Sequence, residues 1–129
     1  MNNYVADTMA IVLYLENRKL PGKVKEIFRD AINGNSLIYI STVSLMEIGY
    51  LAERQRIEVT IFSVLNLVNE NQYFLIHNLD PKTVTEGFKI KDIPELHDRL
   101  IAGTAAILQA ALITNDPVIR ESEYIETIW

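Results

Sequence analysis

Short apolar runs of β character alternate with stretches of helical periodicity along the whole chain. Residues 3–6 (Asn-Tyr-Val-Ala) predict a short first strand closed by Asp7-Thr8, and the apolar run 9–15 predicts a buried helix. Pro21-Gly22 opens an amphipathic helix, in which Val24, Ile27, Phe28, Ala31 and Ile32 follow the i, i+3, i+4, i+7, i+8 spacing and Gly34 stops the pattern. Residues 37–41 form a continuous run of the kind buried on both faces of a sheet. Helical stretches follow at 44–54 and 58–69, where Met46, Leu51, Ile61, Leu65 and Val68 have core-like spacing. A short third strand is expected at 73–76. Asp80-Pro81 has the form of an N-cap followed by proline at the first helical position. A longer helix over 95–110 leads into a fourth strand at 111–114. Asp116-Pro117 starts a last short helix, and 124–129 is a candidate edge strand.

Strands separated by helical crossovers predict an α/β fold with a mainly parallel sheet of four to five strands. The chain has 129 residues, the size of one domain over 1–129, and 49% of them are hydrophobic, enough for a core without metal or disulfide staples. There is no cysteine, which excludes disulfides, thiolate catalysis and zinc-finger chemistry. No apolar run approaches the roughly 20 residues that span a bilayer, and no basic region precedes an apolar one at the N-terminus. A cytoplasmic protein of a bacterium or archaeon is expected. Twelve basic against 17 acidic residues give a net charge of −5, which argues against nucleic-acid binding through a broad positive surface. An enzyme that grips phosphate through divalent cations must itself supply carboxylates, so a nucleic-acid enzyme is still compatible.

Ligands of parallel α/β sheets bind beyond the carboxyl ends of the strands. Asp7 directly follows the first expected strand and Asp116 the fourth. Glu47 falls near the start of the helix after the second strand, and Asp98 near the start of the long helix. Each has an ordinary explanation by itself: Asp7 and Asp116 as helix caps, Ser44-Leu-Met-Glu47 as a capping box, and Asp98 as an acid suited to a helix N-terminus. What capping does not explain is why all four fall at one edge. Two carboxylates ~5 Å apart repel by about 3 kcal/mol at an effective dielectric of ~20. Four together call for a compensating hard cation with oxygen ligands, Mg²⁺ or Mn²⁺, and two such ions can activate water and stabilise the leaving oxygen in phosphodiester hydrolysis. The hydroxyls of Thr8 and Thr114, beside Asp7 and Asp116, are candidates to hold a water or the scissile phosphate.

Four segments carry a resemblance to a known family. They are Tyr4-Val-Ala-Asp7-Thr8, Ser41-Thr-Val-Ser-Leu-Met-Glu47-Ile, His97-Asp98-Arg99-Leu-Ile-Ala-Gly-Thr-Ala105 and Leu112-Ile-Thr-Asn-Asp116. In this order and over nearly the whole chain, they resemble the PIN-domain ribonucleases, most closely the toxin subunit of VapBC-type toxin–antitoxin pairs. The resemblance implies a three-layer α/β/α fold and metal-dependent endoribonuclease activity. It makes Asp7, Glu47, Asp98 and Asp116 the catalytic carboxylates around Mg²⁺ or Mn²⁺, with Asp7 and Asp98 the firmest ligands. It further implies an RNA substrate, a homodimer, and a small VapB-like antitoxin whose tail blocks the acidic groove.

Some features depart from that pattern. Asn115 stands where many relatives carry a basic residue, and Glu95, next to Pro94, reads as a cap rather than a further site acid. Arg54, Arg56, Lys89 and Lys91 are candidate RNA contacts, each also explained as solvated surface. His77 and His97 read as structural or exposed. A receiver-type phosphoacceptor needs an Asp at the end of a later strand, where Ser41-Thr42 and His77-Asn78 stand instead. A phosphatase of the Asp-x-Asp kind needs an acid at Met9. The non-enzymatic alternative is a catalytically inactive PIN-like binding or scaffold module whose acids serve as caps.

Overall fold

The computed structural model describes residues 1–129. In chain order it comprises β1 (Asn2–Ala6), α1 (Thr8–Leu15), α2 (Gly22–Ile32), β2 (Ser36–Ser41), α3 (Thr42–Glu53), α4 (Ile61–Glu70), β3 (Phe74–His77), α5 (Pro81–Lys89), α6 (Leu96–Leu108), β4 (Ala111–Ile113), α7 (Pro117–Arg120) and β5 (Thr127–Ile128). The five strands form one sheet in the order β3-β2-β1-β4-β5, and every neighbouring pair is parallel. The chain builds outward from β1 through β2 to β3, then returns across β1 to lay down β4 and β5. The order therefore reverses between β1 and β4, which is where open parallel sheets leave a crevice for ligands.

Side chains of the strands alternate between two cores. Ala6, Ile38, Ile40, Phe74 and Ile113 face a layer built from α1, α2 and α4, where Tyr14 stacks on Phe28 with ring centroids 4.2 Å apart. Val5, Tyr39 and Leu112 face the opposite layer, with Leu100, Ile101 and Ala105 of α6, Val84 of α5 and Ile119 of α7. Both faces of the sheet are thus covered, which is why its strands read as continuous apolar runs. On the second layer α5 and α6 approach closely through glycines: a Cβ built at Gly103 would stand 2.8 Å from the Gly87 backbone and 3.0 Å from the Thr83 carbonyl oxygen. Gly34 ends the α2 turn at φ +83°, a left-handed conformation that favours glycine.

The structure shifts several boundaries and burials expected from the sequence. Helix α4 starts at Ile61 rather than 58, because Thr60 and Ser63 form a reciprocal capping box. The Glu58 backbone N–H is instead taken by Glu16 Oε2 at 2.8 Å, tying the α3–α4 loop to the end of α1. Helix α3 starts earlier than expected, at Thr42, because Ser41 is its N-cap and accepts from the Val43 N–H. Ile32, Met46 and Ile61, expected in the core, are exposed, whereas Leu51, Leu65 and Val68 are half-buried. Helical spacing identifies an apolar stripe but not what covers it. No helix is long and apolar enough to cross a membrane.

Candidate active site

The ends of β1 and β4 are joined where the strand order reverses: the Asp7 backbone N–H donates to the Ile113 carbonyl at 3.1 Å. Asp7 and Asp116 leave the sheet side by side there, each as a helix N-cap. Asp7 Oδ1 accepts from the Ala10 N–H at 2.8 Å, and Asp116 Oδ1 accepts from Val118 and Ile119 at 2.9 and 3.2 Å. Capping employs one oxygen of each carboxylate and so fixes the direction of the other. Glu47, on the second turn of α3, and Asp98, in the first turn of α6, line the same cleft of about 950 Å³. All four acids singled out in the sequence are thereby brought together, in a cleft that no Lys or Arg lines.

Glu47 is not part of a capping box. With the helix start moved to Ser41, Ser44 lies inside α3, buried, and the Glu47 side chain is released toward the cleft. One of its oxygens accepts from the Thr8 hydroxyl and the other lies 3.2 Å from His97 Nδ1. Ser44 Oγ is 3.1 Å from the same Thr8 hydroxyl and completes a buried polar chain from α3 to α1. His97, read from the sequence as structural or exposed, is therefore part of the cleft. Ser44 was legible only as a cap. No local sequence signal marks either role, since both depend on contacts between distant segments.

The two threonines also differ from expectation. Thr8 and Thr114 are buried. Thr114 Oγ1 accepts from the Asp116 N–H at 3.1 Å, and its hydroxyl favours the charged form of the neighbouring Asp7 carboxylate. Both hydroxyls hold carboxylates in place; Thr114 does not line the cleft. Glu95 caps α6 by accepting from the Asp98 N–H at 2.7 Å, as its sequence context suggested. His77, at the end of β3, sits 3.1 Å from the Thr83 hydroxyl, away from the cleft.

Burial, with the neighbouring negative charge adding to it, raises the protonation of two members. Asp98 is pushed up to about 7, first by loss of solvent and then by the charges of Glu95, Asp116, Glu47 and Asp7. Asp7 is also raised, chiefly by burial, with Asp116 and Glu47 adding to it and the hydrogen bonds from Thr114 and Ala10 opposing it. The Asp98 carboxylate accepts no hydrogen bond from the protein and is free to take a ligand. An all-oxygen, strongly anionic donor set of this kind suits a hard divalent cation in charge and in ligand type. No group of three acidic or histidine side chains is arranged to hold an ion as it stands.

The PIN-domain family model matches residues 4–122. The chain belongs to the PIN-domain family. Comparison with curated proteins gives no sequence match. Among solved structures, this PIN domain is similar to VapBC of Salmonella typhimurium, in a DNA-bound crystal structure, with TM-score 0.72 and 20% identity over 99% of this chain and 98% of that one. It is similar also to VapBC2 of Rickettsia felis bound to a promoter DNA fragment, with TM-score 0.71 and 18% identity over 98% of both chains. VapC20 of Mycobacterium tuberculosis, a toxin that cleaves the sarcin–ricin loop, matches with TM-score 0.66 and 9% identity over 95% of this chain and 97% of that one. At these identities the likeness is one of fold.

Proposed function

We propose that this PIN domain, spanning residues 1–129, is a metal-dependent endoribonuclease and the toxin of a type II toxin–antitoxin pair. The observation that carries this reading is the meeting of Asp7, Glu47, Asp98 and Asp116 in one cleft at the switch point of the sheet, without a compensating cation among the lining side chains. Family membership and the shared fold of VapBC toxin subunits support it.

In this mechanism Asp7, Glu47, Asp98 and Asp116 would hold Mg²⁺ or Mn²⁺, with Asp98, whose carboxylate accepts no hydrogen bond from the protein, the freest of the four to ligate. A divalent ion bound there would supply Lewis-acid stabilisation of the phosphate and a lowered pKa for the attacking water. Capping bonds hold one oxygen of Asp7 and of Asp116 at the helix starts and so restrict the rotamers of both carboxylates beside the cleft. Glu47, held by Thr8 on one oxygen and beside His97 on the other, orients ligand or water at the α3 side. Thr8 and Thr114 fix carboxylate rotamers. The substrate is RNA. The partner is a VapB-like antitoxin, and two copies of the chain form the working homodimer in the cytoplasm.

The test is cleavage of a mixed RNA pool by the purified protein with Mg²⁺, with Mn²⁺ and with EDTA, beside Asp98→Asn. Metal-dependent cutting that disappears in the variant is the expected result. A folded protein that neither cuts RNA nor binds either metal would move the assignment to a binding or scaffold module.

A further inference from the structure

One face of α3 carries more than Glu47. Tyr50 and Arg54 follow it at i+3 and i+7, so the three share a side of the helix. Tyr50 lines the acidic cleft although 55% of it is exposed to solvent, and the Arg54 guanidinium lies 4.5 Å from the centroid of its ring. The ion pairs of the molecule join Arg18 to Glu16, Lys89 to Glu86, and His97 to Glu47 and Glu95, so Arg54 has no carboxylate partner. A second aromatic residue, Trp129, lines the same cleft just after β5.

The strand order fixes how these groups lie about the acids. Helix α3 leaves the sheet after β2, Asp7 after β1, Asp116 after β4 and Trp129 after β5, and these strands are consecutive neighbours. Tyr50 and Trp129 therefore belong to the two flanks of the cleft, with the carboxylates between. Three strand spacings are roughly 14 Å, the reach of a few nucleotides. Aromatic residues at both ends of an anionic centre, with an unpaired cation over one of them, suit unstacked bases and a backbone phosphate better than a double helix, whose bases are hidden in their stack.

We propose that Tyr50 and Trp129 stack the bases on either side of the scissile phosphate, and that Arg54 holds both the Tyr50 ring and the next backbone phosphate. This proposal rests on the nuclease reading for the nature of the strand, and its test separates the two. The chain has a single tryptophan, so emission excited at the red edge of the absorption band, where the tyrosines do not absorb, reports on the cleft alone. A mixed-sequence single-stranded RNA oligonucleotide, and the same sequence as a duplex, are titrated into the full-length protein in Ca²⁺, a hard cation with the same oxygen preference. Emission and fluorescence anisotropy are followed for wild type, Tyr50→Ala, Tyr50→Phe and Arg54→Gln.

The expected result is quenching of Trp129 by the single strand, about 10-fold weaker binding in Tyr50→Ala and in Arg54→Gln, near-normal binding in Tyr50→Phe, and much weaker binding of the duplex. Unchanged affinity in Tyr50→Ala and Arg54→Gln, absence of quenching, or equal binding of the duplex overturns the proposal. So does light scattering that shows Tyr50→Ala separating two copies of the chain while RNA affinity per chain is unaltered, because the face would then join protomers. Cleavage is assayed separately in Mg²⁺ and Mn²⁺. A strand that is bound and quenches Trp129 but is never cut removes the nuclease and leaves the clamp. RNA that is cut with unchanged KM in both variants removes the clamp and leaves the nuclease.

Discussion

His97 Nδ1 lies 3.2 Å from Glu47 Oε2 and links the first turn of α6 to α3 across the cleft. The other Glu47 oxygen accepts from Thr8 at the head of α1, so a single carboxylate ties three helices. A ligand held in this way keeps one rotamer, and partners that orient a ligand typically account for 10- to 100-fold in metal affinity or activity. His97→Ala and Thr8→Val are accordingly expected to lower metal-dependent cleavage by about that factor while leaving the circular dichroism spectrum unchanged. Full activity in both variants would show that the orientation of Glu47 does not matter.

The raised protonation of Asp98 gives the metal-free protein a pH dependence of definite sign. Its carboxyl titrates at about 7 in the folded chain against an ordinary 3.8. Between these values the folded state binds more protons than the unfolded one, so stability falls as pH rises from about 4 to about 7 and stays low above that. Asp98 is half exposed, and solvent screening reduces the effect. In EDTA the Tm is expected to be a few degrees lower at pH 8 than at pH 5. Asp98→Asn should flatten that difference, and Mg²⁺ or Mn²⁺ should narrow it. A wild-type Tm that rises over this interval would contradict an Asp98 carboxyl raised by burial and its acidic neighbours.

Charge and capping can be separated at Asp116. Its Oδ1 accepts from two N–H groups at the start of α7. Asparagine keeps an acceptor there and alanine does not. Asp116→Asn should retain wild-type stability and lose most cleavage. Asp116→Ala should lose cleavage and about 1 kcal/mol in urea unfolding as well. If Asp116→Asn retained full activity, the residue would be a cap and nothing more.

The packing of α5 on α6 sets where Asp98 stands. Gly103→Ala places a methyl group against the Gly87 backbone, which cannot swing aside as a long side chain would. A loss of about 1–3 kcal/mol is expected. Cleavage should fall in the folded fraction too, because α6 must move and Asp98 with it. Urea unfolding and specific activity below the transition check both parts, and unchanged stability would mean that the interface gives way easily.

Local signals in the sequence determined the elements and their kind. Pro21-Gly22, Asp80-Pro81 and Asp116-Pro117 mark helix starts, Gly34 marks a stop, and the apolar runs mark strands buried on both faces, because caps, proline and glycine act through their own backbone and nearest turns. The four acids were likewise legible as residues at strand ends and helix starts. Tertiary structure decided the strand order β3-β2-β1-β4-β5, and with it the neighbourhood of Asp7 and Asp116. It also decided that Ser41 rather than Ser44 caps α3, which turns Glu47 from a candidate cap into a cleft residue held by Thr8 and His97. Met46 and Leu51 show the same limit: their spacing fits an apolar stripe, yet they line the cleft. Capping and periodicity are written within a few residues of chain, whereas burial, hydrogen bonds across 39 or 50 residues and the sharing of charge arise only when distant segments meet.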